Sequence, residues 1–264
     1  MTWLQGAILG LVQGATEFLP VSSKTHLVVV PALLGWEPPE LAFIVLLHLG
    51  TFCGLLAYYL KRVLGIVRGV FRGEPRDRRL AVLLVVATIP AAVAGLAFEA
   101  SFERLLERPA AVAFSLIATA VVLVVAELAS GTIGPRDPRP MRQRAGPTDA
   151  VAMGLAQCVA LLPGVSRSGA TMSAGLVNGL SRPAAAEFSF LMSLPAIAGA
   201  NVLELPEVVA HGLGGAEVAG FLAALVSGYL VVALLLRYLR SRTFLPFALY
   251  CLVFGPLAGL ALSR

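Results

Sequence analysis

Two short runs carry nearly all the polar chemistry of an otherwise apolar chain. The first, QGATEFLPVSSKTHL at 13–27, holds Gln13, Glu17, Ser22, Ser23, Lys24 and His26. The second, PGVSRSGAT at 163–171, holds Ser166, Arg167, Ser168, Gly169 and Thr171. Gln13 and Glu17 are four residues apart, on one helix face, and His26 follows Ser22 and Ser23 by four and three. A carboxylate, an imidazole, a hydroxyl and a guanidinium can supply a base or metal ligand, an acid, a nucleophile and a charge clamp. The planar fork of Arg167 suits a phosphate, to which Ser22, Lys24, Ser166, Ser168, Gly169 and Thr171 add further binding groups. Gln13 and Glu17 offer two oxygens that, with substrate phosphates, suit Mg²⁺ or Ca²⁺.

The elements around these runs must hold them inside a membrane. Of the 264 residues, 58% are apolar and 13% charged, against about 25% charged in a soluble domain. Mean hydropathy is +0.86. A soluble enzyme, a disordered chain and a disulfide scaffold all fit poorly. An Arg or Asp at a helix centre costs about 2.5–3.5 kcal/mol, so intramembrane charges normally line a wet cavity and do work. The bland alternative for Glu17 and Arg167 is a buried structural ion pair.

Six apolar stretches, near 41–60, 79–98, 110–129, 184–204, 216–237 and 243–262, reach the roughly 20 residues a bilayer core requires. Two further regions are interrupted. Residues 1–34 break at Pro20, Val21, Ser22 and Ser23, and 149–180 break at Pro163 and Gly164 followed by Ser166 to Gly169. Each half is too short to cross, proline ends the first half, and a serine can cap the second. Both are expected to be re-entrant helix–break–helix hairpins, tolerated where the break lines a wet cavity. The positive dipole ends of the two second halves would then face an anion of the phosphate or diphosphate class. At membrane depth, beside apolar walls, that implies a lipid phosphate.

The net charge of +5 does not point to nucleic acid, because the basic residues sit in short runs between apolar segments. The loops 61–80, 130–148 and 237–242 are rich in Lys and Arg. The 99–109 loop holds Arg104 and Arg108 against three glutamates, and 205–215 has no Lys or Arg. The first three loops are expected to be cytoplasmic and the last two external, with both termini and the active site facing outside. Residues 1–34 lack a basic leader and are read as part of the fold. Trp3 and Trp36 read as interface anchors, and Cys53, Cys158 and Cys251 as free buried thiols. His48 and Glu127 read as partnered core groups, Glu187 as paired near the cytoplasmic surface, and His211 as solvated.

The halves repeat. Gly10-Leu11-x-Gln13 recurs as Gly154-Leu155-x-Gln157, Leu19-Pro20 as Leu162-Pro163, and Val21-Ser22 as Val165-Ser166. The reading is an all-α integral membrane protein with an inverted-topology repeat. Residues 1–130 form one half (hairpin 1–34 plus three spans), 131–148 a cytoplasmic linker, and 149–264 the other half (hairpin 149–180 plus three spans). The site belongs at the repeat interface. From chemistry alone, a transporter or flippase for a polyprenyl phosphate stays open beside an enzyme.

The run at 13–27, the run at 163–171 and AEFSFLMSLPA at 186–196 resemble the bacterial undecaprenyl-diphosphate phosphatase family, also called the bacitracin-resistance family. The resemblance runs the whole chain. It implies hydrolysis of the C55 prenyl diphosphate to the monophosphate carrier lipid at the outer membrane face, recycling the carrier for cell-wall synthesis. It further implies a need for Mg²⁺ or Ca²⁺. The family's acidic pair matches Gln13 and Glu17, its serines Ser22 and Ser23, its histidine His26 and its arginine Arg167. That Ser23 rather than Ser22 is the nucleophile rests on the resemblance, and His26 or a water activated by Glu17 remain candidates for the attack. Gln13 stands where many members have Glu, removing a charge from the metal site. Lys24-Thr25 stands where small or hydroxyl residues are usual. A membrane-embedded polyprenyl diphosphate is the expected partner, with a homodimer as a candidate assembly.

Overall fold

The computed structural model describes residues 1–106, 108–131, 141–162 and 164–263, with backbone alone at 98–106, 205, 207 and 209–211. It is helical throughout: α1 (Trp3–Phe18), α2 (Ser23–Leu34), α3 (Leu41–Arg72), α4 (Pro75–Leu106), α5 (Pro109–Phe114), α6 (Leu116–Ala129), α7 (Pro147–Val159), α8 (Arg167–Val177), α9 (Arg182–His211), α10 (Gly215–Tyr238) and α11 (Leu245–Leu262). Six segments are long and apolar enough to cross a membrane: α3, the first part of α4, α5 with α6, the first part of α9, α10 and α11. The chain is a multi-pass membrane protein. On α4, Val82, Val85, Ile89, Val93 and Leu96 are all more than half exposed at helical spacing. In water this stripe would be an aggregation liability; in a bilayer it meets lipid tails.

Both interrupted regions form helix–break–helix pairs, α1 with α2 and α7 with α8. A capping box starts α1: Gln5 N–H donates to Thr2 Oγ1, and Thr2 N–H to Gln5 Oε1. Its glycine face then lies directly on α10. A Cβ at Gly10 would sit 2.2 Å from the Gly220 carbonyl oxygen, so only glycine permits this approach. Contacts exchange between halves. Helix α1 packs on α10 as α7 packs on α4, and α3 packs on α10 as α4 packs on α9.

Several boundaries differ from the sequence reading. The basic 61–80 region is no loop: α3 runs to Arg72 and α4 starts at Pro75. Ile66 and Gly69 are buried on the extension, Arg62 lies 3.7 Å from Asp77, and left-handed Gly73 closes the helix as Glu74 N–H donates to the Gly69 carbonyl. At 32 residues, α3 is about 48 Å long and outruns a bilayer core of about 30 Å. Much of 99–109 and 205–215 is likewise helical, because α4 and α9 continue. The span expected at 110–129 is interrupted at Ser115, where the second break packs against it. A Cβ at Gly164 (φ +81°) would overlap Ser115 Oγ.

Arg136 and Arg139 of the linker, and Pro163, lie outside the described residues. The part of the linker that is described is fastened down. Arg142 exchanges backbone hydrogen bonds with Gly179 and Ser181, and its guanidinium grips Asp149 with two bonds of 2.7 Å. Burial alone would raise the Asp149 carboxyl; the Arg142 fork, the Gly146 N–H and the Asn178 amide outweigh it and hold the group below its ordinary value. Nearby, Glu127 on α6 is fully buried, ion-paired with Arg182 of α9, and accepts the Phe244 N–H at 2.6 Å. This knot ties three helices. Glu187 is exposed on α9, and among the described residues no ion pair includes it.

Candidate active site

The two breaks meet at Glu17. Its carboxylate is 4% exposed and receives groups from four helices. Ser23 Oγ, the first residue of α2, donates to Oε2 at 2.6 Å, and Gln13 Nε2 donates to the same oxygen at 3.0 Å. Arg167, the first residue of α8, pairs with Oε1 through Nη2. His48 Nε2, from α3, stands 3.8 Å from Oε2. Leu19-Pro20 ends α1 just after Glu17, so the chain turns and returns Ser23 to the carboxylate. Ser168 Oγ donates to the Leu19 carbonyl at 3.0 Å, stitching the second break onto the first.

The helix starts are not equivalent. At α8, Ser166 Oγ accepts the Gly169 N–H at 3.1 Å, an N-cap, and also bonds Ser168 Oγ. At α2, Ser22 makes no such cap. Its Oγ bonds Thr25 Oγ1 at 3.1 Å, and its backbone sits at φ 67°, alone in that region among the described non-glycine residues. Such a conformation costs on the order of 1–3 kcal/mol and concentrates at functional sites. The start of α2, without a side-chain cap, is the end suited to an anion.

The remaining expected residues are spread around this centre. Lys24 is exposed and Gly169 buried in the first turn of α8. Thr171 is turned toward helix packing, with its hydroxyl on the Arg167 carbonyl and on Ser189 Oγ of α9. The ring of His26 is buried. Its Nδ1–H donates to the Ser22 carbonyl at 2.8 Å, and Nε2 lies 2.7 Å from the Tyr250 hydroxyl. Neither nitrogen bonds Ser23. Sequence reasoning took His48 for a partnered core group and passed over Tyr250 and Thr119. The Thr119 hydroxyl donates to the Gly164 carbonyl and accepts the Ser166 N–H, shaping the second break. The available signal was a histidine amid the apolar run 41–60 and a threonine amid 110–129; nothing marked Tyr250.

The family described as Bacitracin resistance protein BacA matches residues 6–257. The chain belongs to this family. Among curated relatives, proteins named "Undecaprenyl-diphosphatase" are similar nearly end to end. That of Moorella thermoacetica is 42% identical, over 97% of both chains. That of Geobacter sulfurreducens is 40% identical, over 97% of this chain and 96% of its own. That of Rubrobacter xylanophilus is 42% identical, over 94% and 93%. The BacA match spans both breaks, so Glu17, Ser23 and Arg167 all fall within it.

Proposed function

We propose that this chain hydrolyses undecaprenyl diphosphate to undecaprenyl phosphate and phosphate, with Ser23, Glu17 and Arg167 as its reacting set. The observation that carries the residue assignment is the 2.6 Å hydrogen bond from Ser23 Oγ to a buried carboxylate whose other oxygen holds Arg167. A serine hydroxyl needs an adjacent base, and Glu17 is in place to take its proton. Ser23 Oγ attacks the terminal phosphorus as its proton passes to Glu17. The bond from that phosphorus to the bridging oxygen breaks, and the monophosphate lipid leaves with the electron pair. Water then cleaves the phosphoserine, releasing phosphate and restoring the hydroxyl. Arg167 meets Glu17 through one nitrogen and is 27% exposed, which leaves N–H donors of its fork for the equatorial oxygens. The start of α2 cradles the same phosphate, with Ser22, Lys24, Ser166, Ser168 and Gly169 around it.

A divalent cation fits the residues present. Gln13 Oε1 is buried with no hydrogen-bond partner among the described residues, beside the Glu17 carboxylate. Those two oxygens would hold Mg²⁺ or Ca²⁺ together with substrate phosphates. When bound, the ion would neutralise charge on the diphosphate.

The proposed orientation has both termini and the site outside and the halves inverted in the membrane. It is supported by the contacts that exchange between halves and by the gathering of Arg142, the 178–182 turn, Glu127 and Phe244 at one end. Phosphate release by the purified chain from prenyl diphosphates of several lengths, with Mg²⁺, with Ca²⁺ and with chelator, tests the reading. The expected result is release from long-chain substrate, lost on chelation and restored at lower Mg²⁺ in Gln13→Glu. Release indifferent to chelator would remove the cation from the proposal.

A further inference from the structure

The break before α2 is held by a device that lies beyond the reacting set. Ser22 occupies a left-handed backbone conformation that side chains rarely adopt. Something must hold it there, and its own hydroxyl does not cap the helix. Its carbonyl, however, is bound by the His26 ring at 2.8 Å. A carbonyl only accepts, so His26 Nδ1 carries the proton, and in the neutral ring the lone pair is on Nε2. That lone pair faces the Tyr250 hydroxyl at 2.7 Å, on α11. The three rings of His26, Tyr250 and Phe254 lie nearly parallel, within 13° of one another, with centroids 5.1–5.7 Å apart. The imidazole is thus fixed in position by ring packing and in tautomer by a phenol.

We propose that His26 and Tyr250 are positioning residues: the phenol fixes the imidazole tautomer, and the imidazole locks the Ser22 carbonyl so that Ser23 is aimed at Glu17. The peptide that carries the Ser22 carbonyl also carries the Ser23 N–H, so a rotation there swings both the hydroxyl of Ser23 and the first donor of α2. The inference rests on Ser23 and Glu17 being the reacting pair.

The test separates the two ring nitrogens. An asparagine amide N–H can replace Nδ1–H, and a glutamine reaches the place of Nε2. Phosphate release is measured for His26→Asn, His26→Gln, Tyr250→Phe and the double variant His26→Asn/Tyr250→Phe, with melting for each. One hydrogen bond to a positioned group is worth roughly a factor of ten here. His26→Asn is therefore expected to turn over about tenfold faster than His26→Gln. Tyr250→Phe keeps the ring packing and lowers kcat with KM unchanged. The double variant is no slower than His26→Asn, because the phenol acts only through the imidazole. Nitrogen-15 spectra of the His26 ring are expected to show the Nδ1–H tautomer, becoming mixed in Tyr250→Phe. Equal loss in His26→Asn and His26→Gln, multiplicative loss in the double variant, or an Nε2–H tautomer in the parent protein would each overturn the proposal. If a His26 variant fails to fold, the tautomer measurement still decides. Activity retained by Ser23→Ala would instead remove the Ser23 assignment, which the tautomer does not read.

Discussion

Glu17 and Arg167 stand 150 residues apart in the chain and meet as an ion pair, the carboxylate buried and the guanidinium partly open. One end of that pair is fixed by Ser23 and Gln13, while the guanidinium at the other is 27% exposed. The pair therefore joins the two breaks and also presents its cation.

Removing the cation should separate these roles. Arg167→Ala is expected to abolish nearly all phosphate release and to leave a buried carboxylate uncompensated. With the guanidinium partly exposed, the stability loss should be about 1–2 kcal/mol rather than the 3–5 of a fully buried pair. Adding Glu17→Gln should restore melting and leave turnover absent. Arg167→Lys should recover melting better than rate, because the fork is lost. Near-parental release by Arg167→Ala would refute the clamp.

The two adjacent serines are expected to behave differently. Ser23→Ala should lose most turnover with little change in melting. Ser22 caps nothing with its side chain, so Ser22→Ala should lose less than the ~1 kcal/mol of a typical N-cap deletion. Ser22→Gly should hold or raise melting, since glycine adopts φ > 0 freely, while slowing turnover by loosening the break. Melting curves and phosphate release for the three variants check this. A Ser23→Ala enzyme with most of its activity would leave His26 or activated water as the attacking group.

The fastening of the linker carries a pH signature. The Asp149 carboxyl is held below its ordinary value, so its stabilisation is complete above the usual carboxylate range. It is lost as pH falls through the lowered value. Asp149→Asn should therefore melt below the parent protein at neutral pH, with the gap closing as pH falls below the usual carboxylate range. Melting scans from pH 7 downward measure it, and a gap unchanged to the lowest pH would contradict the assignment.

Orientation is open to chemical labelling. In a background lacking Cys53, Cys158 and Cys251, a cysteine at Gly73 or Glu74 should resist an impermeant reagent applied from outside, whereas one at Thr2 should react. Labelling of the α3–α4 turn from outside would overturn the topology and the inverted arrangement with it.

Composition and apolar run length were enough to settle that the chain is helical and embedded, because a bilayer leaves few other solutions for so many apolar residues. The breaks were also visible, since Pro20 in the first run and Pro163-Gly164 in the second interrupt apolar segments that would otherwise read as continuous helices. Helix ends were less legible: the basic run 61–72 reads as loop by charge, yet Ile66 and Gly69 bury one face and extend α3. The partners of each polar group were decided by the tertiary structure alone. Spacing puts Ser22, Ser23 and His26 on neighbouring positions of α2 but does not say which way each nitrogen points. The left-handed turn at Ser22 and the approach of Tyr250, 224 residues away, send His26 to a carbonyl and a phenol and leave Ser23 to Glu17. His48 reaches the same carboxylate only because α3 packs against α1. Periodicity reports which face a residue occupies; what that face meets depends on contacts between segments far apart in the chain.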